Sequence, residues 1–118
     1  MAGVSGDTEL IKNMIVSIID QNKGHDIVTL DVQDKTVIAK YMIIASGDSS
    51  RHVKALAEHV IKSLRPHDKA DVEGMDEGNW VIVNFQGIMV HIFRPEVREY
   101  YKIEELWNNF LSFVRLID

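Results

Sequence analysis

Five histidines, the run Gly47-Asp48-Ser49-Ser50 and the acid pair Asp71 and Glu73 are the residues of this chain whose types could do chemistry. His52 and His59 fall seven apart in a stretch with helical periodicity. That is two turns, where zinc-binding pairs favour one, and no third ligand joins them, so they read as flanks of an amphipathic helix. His91 stands alone among strand-forming residues and fits a hydrogen-bonded or interface histidine better than a general base. The serines after Gly47 lack the flanking glycine of a nucleophile elbow. A strand, Gly-Asp-Ser and a helix could cradle a phosphate on the helix N-terminus. A nucleotide-handling enzyme would then use Asp48 and Ser49 with Asp71 and Glu73 as metal carboxylates. The acid pair follows Gly47 at too great a distance for that pattern, and no further acid completes a two-metal site.

The residues that stand out otherwise lie in a hairpin. Trp80 to Phe93 reads as two strands around a Gln86-Gly87 loop, which sets Phe85 opposite Ile88 and Trp80 opposite Phe93. Side chains alternate between faces. One face then carries Val81, Val83, Phe85, Ile88, Val90 and Ile92, all apolar and suited to a core. The other mixes Trp80, Ile82 and Phe93 with Asn84, Met89 and His91. That composition fits a face covered by a helix of the same chain, and it also fits a surface that meets a partner.

The elements around the hairpin follow from periodicity. Thr8 to Gln21 repeats apolar residues at helical spacing and stops before Gly24. Asp26–Val32 and Val37–Gly47 are strand-like, the second with a continuously apolar half. A helix capped by Ser49 or Ser50 places Val53, Leu56, Ala57, Val60, Ile61 and Leu64 on one stripe and ends before Pro66. A short strand near Ala70 to Glu73 precedes the hairpin, and Pro95 opens a helix toward Trp107. Trp107, Phe110, Leu111 and Val114 fit a second short helix. The order α-β-β-α-β-β-β-α predicts an α/β fold, one mixed sheet with helices, in a single domain over residues 1–118.

Composition narrows the function. Thirteen basic against eighteen acidic residues give a net charge of −5, which argues against a grip on nucleic-acid backbone. Acids gather before the hairpin, at Asp68, Asp71, Glu73, Asp76 and Glu77, where they would steer a basic partner toward the mixed face. With no cysteine there is no disulfide, thiolate metal site or cysteine nucleophile. No apolar run reaches the length of a membrane span, and the N-terminus lacks signal-peptide features, so a soluble cytoplasmic protein is expected.

Taken in order, GHDIVTLDV, YMIIASGDSSRHVKALAEHV, VEG, NWVIVNFQGIMVHIF and REYYKIEELW resemble the ribosomal silencing factor family, also called Iojap, from about Ile11 to Trp107. The resemblance implies a nucleotidyltransferase-like topology without the catalytic carboxylates, hence no enzyme activity and no cofactor. It implies binding to the large ribosomal subunit through ribosomal protein fourteen, which blocks joining of the small subunit and lowers translation when nutrients are short. Family members are often dimers. On this resemblance Trp80, Ile82, Asn84, Met89 and His91 form the docking surface, with Asp76 and Glu77 on its acidic rim. Lys40, Asn84 and Gln86 depart from the residues common in the family.

Overall fold

Helix α1 runs Val4–Gln21 and buries Ile15 and Ile19 completely. The structure, a computed structural model, describes residues 4–34, 37 and 39–101. The chain leaves α1 through Lys23 in the left-handed region, φ 70°, while the Gly24 N–H closes on the Ile19 carbonyl at 2.8 Å. Strand β1 follows at His25–Asp31, then β2 at Tyr41–Ser46 and helix α2 at Ser50–Leu64. Strands β3 (Asp71–Glu73), β4 (Trp80–Phe85) and β5 (Ile88–Phe93) and helix α3 (Pro95–Tyr101) complete the described order. This is the expected succession of elements. The remainder of the helix expected toward Trp107, and the one expected beyond it, lie outside the described residues.

The five strands form one sheet in the order β1-β2-β5-β4-β3. Only β2 and β5 run parallel; the other neighbours are antiparallel. Parallel pairing of β2 with β5 puts two apolar strands at the centre, and every β2 residue is buried. Helices α1 and α2 both cover one face, where Val53, Leu56, Val60 and Leu64 pack with Ile43, Ala45, Val81, Val83, Phe85 and Val90. The apolar hairpin face is thus the core face, as the alternation predicts.

Strand β2 begins at Tyr41, not at Val37. Tyr41 is opposite Asp31, the last residue of β1, and opposite Ile88, the first of β5, so both neighbours end there. Val37 lies outside the strand and is 99% exposed. Among the described residues, no helix is long and apolar enough to cross a membrane.

The start of α2 is capped by Ser49, whose backbone is extended and whose Oγ accepts the His52 N–H at 3.1 Å. Removing that acceptor leaves a helix-end donor without its side-chain partner. Ser49→Ala is expected to lower stability by about 1 kcal/mol in urea unfolding, and Ser49→Asp to retain most of it. Equal stability of both variants and the parent would deny the cap.

Candidate docking face

The mixed hairpin face is opposite the two long helices. Its register is the one the Gln86-Gly87 loop implies, with Trp80 opposite Phe93, Ile82 opposite His91 and Asn84 opposite Met89. Both loop residues have positive φ, 44° and 88°, as a tight two-residue hairpin turn requires. Across β5, the parallel partner β2 adds Met42, Ile44 and Ser46 to the same face. Met42, Ile44 and Phe93 are buried there, packed with Val28, Leu30, Trp80, Met89 and Val97 of α3.

Trp80 organises the centre. Its indole Nε1–H donates to His91 Nδ1 at 3.0 Å, and its ring packs on Phe93 with centroids 5.0 Å apart. His91 in turn stacks on Phe93 at 5.9 Å. Because Nδ1 accepts, the imidazole proton belongs on Nε2. Burial pushes the His91 pKa down to about 4, so the ring is neutral near pH 7.

These contacts revise one sequence expectation. His91, expected on the docking surface, is only 2% exposed and supports Trp80 from beneath. The indole N–H is engaged inside the chain, by His91 Nδ1. Trp80, Ile82 and Met89 are half-buried, and Asn84 is exposed. These four residues therefore form the accessible part of the expected surface.

Strand β3 contributes a carboxylate edge. Asp71 is paired with Asn84 and Glu73 with Ile82, so both acids stand on the mixed face and both are exposed. They border a groove whose floor is Trp80, Ile82, Met89 and His91. Glu77 joins Glu73 at an adjoining hollow beside Trp80, Asn79 and Val97. Asp76 lines neither; its carbonyl accepts a 2.9 Å bond from Lys54 Nζ, and its side chain is exposed in the turn before β4. The rim thus includes Asp71 and Glu73, which the sequence suggested for metal chemistry. The signal that could have placed them was their two-residue spacing, which puts both on the face of Ile82 and Asn84 once β3 pairs with β4.

The four residues of the nucleotide-handling alternative do not converge. Asp48 and Ser49 lie past the end of β2, while Asp71 and Glu73 are on β3, three strand positions away. At ~4.8 Å per position this is roughly 14 Å before any offset along the strands. Asp48 accepts from His25 at 2.7 Å, Ser49 caps α2, and His52 uses both ring nitrogens within the fold. Among the described residues, no group of three or more His, Asp or Glu side chains is arranged to hold a metal ion.

An apolar groove with a carboxylate edge, on a sheet face free of the two long helices, is suited to binding a protein surface. The chain is 40% identical over 99 residues to ribosomal silencing factor RsfS of Chromobacterium violaceum, covering 82% of this chain and 81% of that one. It is 32% identical over 100 residues to mouse mitochondrial assembly of ribosomal large subunit protein 1, covering 80% of this chain and 44% of the mouse protein. A crystal structure of a Chromobacterium violaceum protein superposes with a TM-score of 0.80 at 38% identity, covering 85% of each chain. Its mixed α/β architecture is the one described above. The model of the family described as ribosomal silencing factor during starvation matches residues 7–115, a span that takes in the SSRHV helix start, the EG before Trp80 and the VHIF strand, and the chain belongs to that family.

Proposed function

We propose that this chain is a noncatalytic repressor of translation that binds the large ribosomal subunit through ribosomal protein fourteen. Its bound bulk then excludes the small subunit, lowering translation under nutrient limitation. The observation that carries the reading is the groove over Trp80, Ile82 and Met89, edged by Asp71, Glu73 and Glu77. Apolar side chains there would be desolvated by a partner, and the carboxylates favour one with a basic surface. Family membership and the large-subunit wording in the mouse relative's name support the choice of partner.

Co-sedimentation with purified large subunits tests the binding, and a light-scattering assay of subunit joining tests the exclusion. Failure to co-sediment removes the proposal, and binding without slowed joining removes its mechanism.

Steering by the rim gives a separate expectation. The association rate should fall as salt rises, and Asp76→Asn with Glu77→Gln should lower it about threefold or more at low ionic strength with little change at high salt. Stopped-flow association measures this. Rates independent of both salt and substitution would leave these acids as a solvated turn.

A further inference from the structure

At the corner where α1, β1, the β2–α2 turn and α3 meet, both ring nitrogens of His25 face carboxylate oxygens. Nε2 is 2.7 Å from Asp48 Oδ1, and Nδ1 is 3.3 Å from Asp26 Oδ2. An ionised carboxylate only accepts, whereas a neutral imidazole has one N–H and one lone pair. A neutral ring can therefore satisfy one contact and must turn its lone pair on the other carboxylate. The imidazolium donates to both. His52 provides the contrast on the same aspartate. Its Nδ1 accepts the Asp48 backbone N–H at 2.9 Å and its Nε2 donates to the Asn22 carbonyl at 2.9 Å, which a neutral ring does unaided.

The two carboxylates belong to different parts of the chain. Asp48 is in the turn between β2 and α2, and Asp26 is in β1 at an irregular point, with φ 50° and a register shift between His25 and Val28. Arg98 of α3 donates to the Asp26 carbonyl at 2.7 Å and to Ser46 Oγ at 2.9 Å, so α3 is fastened to the same corner. We propose that His25 is a proton-operated latch: charged, it ties the start of β1 to the β2–α2 turn through Asp26 and Asp48 together, and on losing its proton it releases one of them.

The titratable and charged groups turned toward this latch are Asp26 of β1, Asp48 of the turn, His52 of α2 and Arg98 of α3. His52 Nδ1 is 3.8 Å from Asp48 Oδ2, but it accepts the Asp48 backbone N–H and so presents a lone pair, not a proton, to the carboxylate that His25 holds. Burial opposes a charge on His25, and its hydrogen bonds to Asp26 and Asp48 outweigh it, raising the pKa above the ordinary 6.5. Asp26 and Asp48 are 76% and 72% exposed, so solvent and salt screen the latch. A histidine with a raised folded-state pKa contributes stability that is fully present below 6.5 and lost as pH rises through the folded value.

The test uses the full chain. Nitrogen-detected NMR of the His25 ring across pH 5.5–8.5 should show both nitrogens protonated at the acid end, with a midpoint above 6.5 that falls in Asp48→Asn. The thermal midpoint of the parent relative to His25→Gln should decline as pH rises above 6.5, a comparison in which the His91 contribution cancels, and the corresponding decline should be reduced in Asp48→Asn. A His25 midpoint at or below 6.5, or one unchanged in Asp48→Asn, overturns the latch. So does a parent whose pH profile matches that of His25→Gln. If His25→Gln does not fold, the NMR midpoints of the parent and Asp48→Asn still decide the question.

Discussion

Trp80→Ala is expected to reduce ribosome binding and stability together. As an anchor at the centre of the groove, the indole should contribute on the order of 2 kcal/mol, so binding weakens about thirtyfold. The same ring covers buried His91 and packs on Phe93, so the substitution also opens a cavity in the face. Trp80 is half-buried, which places the stability loss near 2–3 kcal/mol, below the value for a fully enclosed tryptophan. Trp80→Phe should keep most of the packing while removing the donor to His91 Nδ1, a loss of about 1 kcal/mol.

A pH readout identifies the His91 contact. Because His91 stays neutral in the fold down to about 4, the unfolded chain takes up a proton first, and parent stability should fall as pH drops from 6.5 toward 4. Trp80→Ala lets water reach the ring and should flatten that fall. Urea midpoints at several pH values, with large-subunit binding measured on the same samples, provide the check. A parent-like acid slope would show that Trp80 does not shield His91, and parent-like binding would remove it as an anchor.

The double duty of Trp80 was only half legible in the sequence. Alternation placed Trp80, Ile82 and Asn84 on one face with Met89 and His91, and the two-residue loop fixed their pairing, because a tight turn leaves little freedom of register. Alternation says nothing about which strands flank a pair. His91 and Phe93 are buried because β5 has β2 on one side and β4 on the other. Ile82 and Asn84 remain accessible because their outer neighbour is a three-residue edge strand. The same strand order takes Asp71 and Glu73 away from Asp48 and makes them the groove's edge. It also gives a reason for Asn84: an aspartate there would face Asp71 directly across the strands, and like charges so placed repel. The late start of β2 has a similar origin. Val37 has the composition of a strand residue, but β1 and β5 both finish pairing at Tyr41.

Gly74, in the EG that precedes the tryptophan strand, carries the other large expected effect. Its φ is 87°, and a Cβ there would run into the carbonyl oxygen of Trp80. Gly87 in the hairpin loop has nearly the same φ, 88°, but a Cβ there would come no nearer than 3.4 Å to the Lys40 side chain. The pair separates backbone strain from collision. Gly87→Ala should lower stability by about 1 kcal/mol, the strain of a left-handed non-glycine residue alone. Gly74→Ala should lower it by about 3 kcal/mol, because the β3–β4 connection must also move away from Trp80. That movement would displace the indole over the groove, so large-subunit binding should fall in Gly74→Ala and stay near the parent level in Gly87→Ala. Urea unfolding with binding measured on the folded fraction distinguishes the two variants. Equal stability losses would show that the approach of Gly74 to Trp80 relaxes at no cost, and unchanged binding in Gly74→Ala would separate the position of Trp80 from docking.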